Sequence, residues 1–242
     1  MLEILYRDEH IVAIHKPAGL LVHRSILDRH ETRFAVQLLR DQIGQRVWPA
    51  HRLDRGTSGV LVFALDKALA AKLGRQFESR EVEKRYLAVV RGWPDEEGLV
   101  DHPLAVIRDE YELPLPGPAA AQESRTRFKR LATVELPIAV DRYPQSRYAL
   151  VLLEPETGRR HQLRRHMKHI AHPIIGDATH GKGIHNRMFA ERFASHRLLL
   201  ACVSMSLTHP LSGEALRFNA PPSADFAAVT TALGWQKAMA AY

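Results

Sequence analysis

Apolar residues alternate or cluster along this chain in a way that predicts several short β-strands. Seven runs rich in Val, Ile and Leu, most of them bounded by turn-forming residues, have the length and composition of strands: residues 2–6, 11–15, 60–65, 84–91, 127–136, 147–153 and 198–208. The first two runs flank a short turn that contains Asp8, so we expect them to form a hairpin.

Between these runs, apolar residues recur at helical spacing. A first helix is predicted over residues 31–43, ending at Gly44, because four apolar residues share one face: Phe34, Leu38, Leu39 and Ile43. Asp66 can cap a second helix, and residues 223–234 predict a last helix with a serine cap. This order of elements favours an α+β fold with a mixed, largely antiparallel central sheet flanked by helices and loops.

Residues 93–122 do not fit this pattern. Prolines interrupt the stretch repeatedly and acidic residues cluster in it, which predicts a mobile surface loop or a connection between two lobes. The 242 residues suffice for one large domain, and we expect a single domain over residues 1–242.

The composition excludes several classes of protein. Hydrophobic residues make up 45% and charged residues 25%, which is incompatible with a chain disordered throughout. No apolar run reaches the roughly 18 residues that a membrane-spanning helix needs, and the first residues lack the pattern of a signal peptide. We therefore expect a soluble, cytoplasmic protein. A single cysteine, Cys202, excludes an internal disulfide framework.

The net charge of +7 is concentrated in one segment. Residues 159–197, called the basic segment below, contain nine lysines and arginines but only two acidic residues. Such a local surplus suits a polyanionic partner, because neutralising phosphates releases counterions and supplies affinity. A solvated basic face without a partner is the alternative that charge alone leaves open.

Signatures of common cofactors are missing. The chain has no Gly-x-x-x-x-Gly-Lys-Ser/Thr loop and no Gly-x-Gly-x-x-Gly, and residues 56–59 do not form a Gly-x-Ser-x-Gly elbow. Seven of the 14 histidines lie in the basic segment, but no His-Glu-x-x-His pair occurs and the positive charge opposes a divalent cation. We expect neither a cofactor nor a metal.

Residues 51–59, His-Arg-Leu-Asp-Arg-Gly-Thr-Ser-Gly, combine a carboxylate with two cations and small turn-forming residues. Asp54 lies between Arg52 and Arg55, whose charges favour its ionised form. The two glycines allow tight turns and the close approach of a ligand to the backbone. Asp54 is therefore a candidate catalytic carboxylate, with a polar turn as the alternative.

Residues 157–166, Thr-Gly-Arg-Arg-His-Gln-Leu-Arg-Arg-His, predict a turn that leads into a helix. Arg160 and Arg164 are four residues apart, which would place them on one helical face. Three apolar residues mark the face that we expect to be buried: Leu163, Met167 and Ile170. An exposed polar helix face without a ligand is the alternative.

Both segments resemble motifs of the RluA-type pseudouridine synthase family. The first matches the family pattern His-Arg-Leu-Asp-x-x-Thr-Ser-Gly at every specified position, and the second resembles Thr-Gly-Arg-x-His-Gln-Leu/Ile-Arg. Residues 84–86 resemble its Lys-x-Tyr segment, and residues 16–23 match its opening Lys-Pro-x-Gly…Val-His pattern. The resemblance extends from about residue 3 to residue 219.

The resemblance implies an enzyme that isomerises uridine in RNA to pseudouridine without a cofactor, by breaking the N1–C1′ bond and joining C5 to C1′. It also implies the pseudouridine synthase fold, with an active-site cleft between two lobes. By resemblance, Asp54 is the catalytic carboxylate, Arg164 its salt-bridge partner and Tyr86 the aromatic residue that packs on the target base. The motif is compatible with covalent attack on the sugar and with proton abstraction to a glycal.

The same motifs imply a set of substrate-binding residues. Arg52 matches the arginine that fills the space vacated by a flipped base. The other residues implied to bind substrate are Arg55, Thr57, Ser58, Arg159, Arg160, His161, Gln162, Leu163 and Arg165.

Features outside the shared motifs indicate which RNA is modified. Residues 25–28, 40–45, 137–147 and 165–166 resemble family members that act on uridine 65 of tRNA, so tRNA is the expected partner. No separate RNA-binding module is expected before Lys16, which leaves recognition to the basic segment. A ribosomal RNA synthase is the alternative within the class, and a non-catalytic RNA-binding protein or a metal-dependent hydrolase are alternatives outside it. No membrane and no obligatory protein partner is expected.

Overall fold

The protein is built around a ten-stranded β-sheet. The computed structural model describes residues 1–23, 31–107 and 120–242. The strands in these ranges are β1 (Glu3–Arg7), β2 (Ile11–Lys16), β3 (Trp48–Pro49), β4 (Ser58–Ala64), β5 (Glu83–Arg91), β6 (Glu97–Asp101), β7 (Leu104–Ala105), β8 (Ala121–Gln122), β9 (Arg125–Leu136), β10 (Ser146–Pro155), β11 (Leu200–Thr208) and β12 (Ala215–Asn219). The helices are α1 (Ala35–Ile43), α2 (Lys67–Glu78), α3 (Gln162–His169), α4 (Gly183–Phe193), α5 (Ala224–Ala232) and α6 (Gln236–Met239).

The sheet is mixed but largely antiparallel. Its strands follow the order β1-β2-β4-β11-β5-β10-β9-β6, while β12 pairs with β11 and β3 with β4. Among the described strands, β4 and β11 pair in parallel and all other neighbours pair antiparallel. The predicted α+β class is confirmed. The division into two lobes and the extent of the catalytic domain stay predictions.

Most of the predicted elements are present within a few residues of their expected bounds. The β1–β2 hairpin forms, and the Asp66 carboxylate caps α2 by accepting hydrogen bonds from the N–H groups of Ala68 and Leu69. Helix α1 begins at Ala35 rather than at residue 31, and it ends at Gly44, whose φ of +71° closes the last turn.

The predicted serine cap of α5 is wrong in its contacts. Ser223 occupies the N-cap position, but its hydroxyl accepts no capping hydrogen bond from a backbone N–H group of the helix. It accepts instead from Nη1 of Arg197 at 2.7 Å and donates to Asp225. The hydroxyl oxygen of Ser223, which would otherwise accept from the helix backbone, therefore accepts from the guanidinium of Arg197.

The prediction of a loop over residues 93–122 is wrong for part of that range. Strand β6 pairs antiparallel with β9 at the edge of the sheet, and β7 and β8 form a separate two-stranded ribbon. Pro94 and Pro103 flank β6 instead of interrupting it, so its backbone remains free to pair. Residues 108–119 and 25–28 lie outside the described ranges, and the predictions that involve them stay predictions.

Strand β5 shows how the sheet separates two hydrophobic clusters. Tyr86, Ala88 and Val90 face one cluster, whereas Leu87 and Val89 face the other. Successive side chains of a strand point to opposite faces, so this alternation assigns Tyr86 to the face that also packs against α3. In the described part of the chain, the helices are too short or too polar to cross a bilayer.

The parallel pairing of β4 and β11 depends on one glycine. Gly59 is opposite Cys202 with a φ of +109°, and a Cβ at this position would overlap the carbonyl oxygen of Cys202. Gly59 thus allows two strands to approach closely, a role that differs from the tight turn and the close approach of a ligand expected from the sequence.

Candidate active site

A cavity of about 510 Å³ lies beside the loop that carries Asp54, and we call it the Asp54 cavity. Helix α2, strand β5 and the start of α3 complete its walls. Nine of the residues predicted to be catalytic or substrate-binding line it: Arg52, Asp54, Thr57, Tyr86, Arg159, His161, Gln162, Leu163 and Arg164.

Asp54 lies in the loop between β3 and β4, where the N–H of Thr57 donates to its backbone carbonyl at 3.0 Å. This turn leaves the carboxylate at the cavity with 26% of the side chain exposed. Its Oδ2 accepts a hydrogen bond from Nη1 of Arg164 at 3.0 Å, although the two residues are 110 positions apart. The structure therefore brings together the carboxylate and the arginine that the two motifs indicated.

Arg164 is buried and is held from behind by a second carboxylate. Asp177 accepts from Nε of Arg164 at 2.7 Å and from Nη2 at 2.8 Å, which is a bidentate pair. Burial disfavours the charge of Arg164, but the bonds to Asp177 and Asp54 outweigh it and raise the pKa of the guanidinium. The arginine is therefore a fixed cation between two carboxylates.

Sequence reasoning missed Asp177. Its side chain is fully buried and also accepts from the backbone N–H groups of Thr179 and His180, at 2.9 Å each. Burial opposes the charge of Asp177, yet these donors together with Arg164 lower its pKa. The available signal was its isolation, since Asp177 is one of two acidic residues in the basic segment.

A hydrogen-bond network fixes the start of α3. The Oε1 of Gln162 accepts from the Thr157 hydroxyl at 2.7 Å and from the Arg159 N–H at 3.0 Å. Its Nε2 donates to the carbonyl of Arg125 at 2.9 Å and to the hydroxyl of Thr126 at 3.0 Å. Gln162 is thus engaged by its own fold, and it joins β9 to the helix that presents Arg164.

Tyr86 lines the cavity from β5 and is 8% exposed. It pairs across the sheet with Cys202 of β11. Burial, followed by Cys202 and the charge of Asp54, raises the pKa of Tyr86 well above its usual value. The phenol therefore stays protonated at neutral pH and presents an uncharged aromatic surface beside the carboxylate.

Two histidines of the cavity are neutral. Burial lowers the pKa of His51 to about 4, and its Nε2 accepts from the N–H of Val62 at 3.2 Å. Burial also lowers the pKa of His161 to about 4, with Nε2 3.9 Å from Oδ1 of Asp54 and Nδ1 3.1 Å from Nε2 of His180. The charged residues that line the cavity are therefore two acids, Asp54 and Glu78, and five lysines and arginines, and this positive surplus suits a polyanionic ligand.

Four of the predicted substrate-binding residues do not line the cavity. Arg55 donates to the carbonyl of Gly19 and pairs with Glu31, and Arg165 donates to the carbonyl of Ala105. Ser58 is fully buried and accepts from Arg197 at 2.7 Å. Arg160 precedes α3, so the predicted helical face shared with Arg164 is wrong. Their role in binding substrate stays a prediction.

Only some of the cations of the basic segment are exposed at the protein surface. The side chains of Arg164 and Arg197 are largely buried, each 10% exposed, and both are paired with aspartates. Lys168, Arg187 and Arg192 are exposed. Within residues 1–23, 31–107 and 120–242, no group of three or more His, Cys, Asp or Glu side chains is arranged to hold a metal ion.

The family model described as RNA pseudouridylate synthase matches residues 10–169, which include Asp54, Tyr86 and Arg164. This match covers more than half of the chain, and the chain belongs to the RNA pseudouridylate synthase family. The resemblance to RluA-type members and the prediction of an RNA-modifying isomerase are confirmed.

Similar proteins extend the comparison to nearly the whole chain. The chain is 48% identical over 243 residues to tRNA pseudouridine synthase C of Vibrio cholerae serotype O1, covering 99% of this chain and 98% of that one. It is 51% identical over 239 residues to the protein of the same name from Yersinia pestis, covering 97% and 92%. Among solved structures, human RNA pseudouridylate synthase domain containing 1 is 27% identical with a TM-score of 0.70, covering 92% and 84%.

Proposed function

We propose that this protein converts one uridine of tRNA to pseudouridine, with Asp54 as the catalytic carboxylate. The observation that carries the proposal is the 3.0 Å pair between Asp54 and Arg164 in a cavity that also presents Tyr86. Relatives that are 48% and 51% identical over nearly the whole chain are named as tRNA pseudouridine synthases, which supports tRNA as the substrate.

The target uridine must leave the RNA stack before the carboxylate can reach C1′. Extrusion of a base costs a few kcal/mol, and the cations around the Asp54 cavity can offset this cost by binding the backbone of the opened strand. Arg52 lines the cavity and is exposed, so it can enter the RNA helix where the base has left. Tyr86 then offers an aromatic face to the flipped uracil.

The reaction is an isomerisation that leaves the composition of the nucleotide unchanged. The N1–C1′ bond breaks, the uracil turns within the cavity, and a new bond joins C5 to C1′. A proton leaves C5 and one is gained at N1. The Asp54 carboxylate acts on the sugar, by covalent attack or by proton abstraction, and Arg164 fixes the orientation of that carboxylate through their hydrogen bond.

The substrate position and the cellular setting belong to the same proposal. We assign the reaction to uridine 65 of tRNA, in the cytoplasm, with recognition by the catalytic domain itself and without an obligatory protein partner. Features at residues 40–45, 137–147 and 165–166 support this position over others.

Mapping of pseudouridine in total RNA tests the substrate. A strain that lacks the gene should lose one pseudouridine in tRNA, at position 65. Wild-type protein should restore it, and Asp54→Asn should not. Loss of a ribosomal RNA site with unchanged tRNA would show that the tRNA assignment is wrong and that the enzyme acts on ribosomal RNA.

A further inference from the structure

Lys84 is a cation of the Asp54 cavity that the proposed chemistry does not use. It lies in β5 two residues before Tyr86, and side chains two residues apart share one face of a strand. The separation along the strand is roughly 7 Å. Lys84 and Tyr86 therefore both line the cavity, side by side on its β5 wall.

Three other cations that line the cavity are paired with protein groups. Arg164 binds two aspartates, Arg80 pairs with Glu123 at 2.8 Å, and Arg159 donates to the carbonyl of Glu123. Lys84 is half-buried, and in the part of the chain that the structure describes its ammonium has neither an ion pair nor a hydrogen bond. Burial lowers the pKa of Lys84, as expected for an ammonium that lacks a protein counter-charge.

A half-buried cation without a partner carries a desolvation cost that a bound anion removes. The proposed substrate brings such an anion next to its base, because each nucleotide of RNA carries a phosphodiester on either side of its sugar. With the uracil on Tyr86 and C1′ at Asp54, the ammonium on the same wall can reach one of these groups.

We propose that Lys84 binds a phosphodiester of the uridine nucleotide that enters the Asp54 cavity. This inference rests on the proposed function. It adds a residue that binds the backbone of the flipped nucleotide. Lys84 thereby contributes to holding the extruded state independently of the base sequence around the target.

Three variants test the charge. Lys84→Met should lower kcat/KM for tRNA by roughly 10- to 100-fold, mainly through KM, because a charge-assisted hydrogen bond is lost. Lys84→Arg should restore most of the loss. Arg85→Met is the matched control, since Arg85 is the exposed neighbour paired with Glu154, and it should stay near the wild-type value.

Neutral backbone analogues identify the contact. Substrate RNA is prepared with a methylphosphonate on the 5′ side or on the 3′ side of the target uridine. At the contacted phosphate, wild-type enzyme should fall to the level of Lys84→Met, and the variant should lose nothing further.

The outcomes separate this proposal from the proposed function. If wild-type enzyme is active on natural tRNA but Lys84→Met loses the same factor on all three RNAs, Lys84 does not bind these phosphates and the inference is overturned. If the wild-type enzyme forms no pseudouridine in natural tRNA, the tRNA assignment fails together with the inference that rests on it.

Discussion

The carboxylate of Asp177 accepts two hydrogen bonds from Arg164, from Nε at 2.7 Å and from Nη2 at 2.8 Å, and this leaves Nη1 directed at Asp54. A guanidinium held along one edge cannot rotate freely, so its remaining donor has a fixed direction. The orientation of the proposed catalytic carboxylate is thus set by a residue that does not line the cavity.

The first prediction concerns Asp54 and Arg164 as one unit. Asp54→Asn should abolish isomerisation and leave RNA affinity near normal, because binding draws on phosphates and bases while the chemistry requires the charge. Arg164→Met should also remove most activity, and the double variant should cost little more than Asp54→Asn alone. Tritium release from C5-labelled RNA measures the rates, and substantial turnover by purified Asp54→Asn would contradict the mechanism.

The second prediction concerns Asp177. Asp177→Asn removes the negative charge behind Arg164, so kcat should fall by about 10- to 100-fold while KM changes little. Because breaking a buried pair can cost about 3–5 kcal/mol of stability, circular dichroism must first show a folded variant. The double variant Asp54→Asn with Asp177→Asn should show the same rate as Asp54→Asn alone. A rise in KM at unchanged kcat would contradict a positioning role.

The third prediction concerns the exposed part of the basic segment. Lys168→Gln and Arg187→Gln should each weaken RNA binding across sequences and reduce the slope of log Kd against log salt by about one charge. Turnover of saturated complexes should be retained. Lys237→Gln, in α6, is the control outside the basic segment. An unchanged salt dependence in both variants would show that these residues do not meet phosphates.

The fourth prediction concerns pH and stability. His51, His161 and His185 have pKa values lowered to about 4, chiefly by burial. The unfolded chain, with histidine near its ordinary value of about 6.5, therefore binds more protons between pH 6.5 and pH 4. The free energy of unfolding should fall as the pH drops through this window, by up to about 1.4 kcal/mol per pH unit for each histidine.

Urea unfolding at pH 7 and pH 5 measures this difference. His185→Gln should reduce the loss between the two pH values, since one depressed group is removed. His196→Gln, at an exposed position, is the control that should leave the difference unchanged. Equal stability of the wild-type protein at both pH values would contradict the assigned pKa shifts.

The fifth prediction compares two glycines. Gly59→Ala should destabilise the protein by more than about 3 kcal/mol, because its Cβ overlaps the Cys202 backbone at a φ of +109°. Gly74→Ala, inside α2 with open space around the added Cβ, should stabilise by about 0.5–1 kcal/mol. Urea denaturation measures both. A tolerated Gly59→Ala would show that β4 and β11 can separate at this point.

The local pattern of the chain predicted most elements of the fold. The β1–β2 hairpin, the Asp66 cap of α2 and the strands around the sheet follow from residues that are neighbours in sequence, where alternation and capping act. The two motifs also indicated Asp54 and Arg164, which the family resemblance implies to be the catalytic carboxylate and its salt-bridge partner. These inferences need no knowledge of long-range contacts.

Only the tertiary structure decided how these parts meet. The contact between Asp54 and Arg164 spans 110 positions, and it depends on how β9 holds the start of α3 through Gln162. The role of Asp177, the pairing of β6 and the use of Gly59 arise in the same way, from elements that are distant in sequence. Periodicity reports which face of an element is apolar, whereas strand order and register determine which side chains become neighbours.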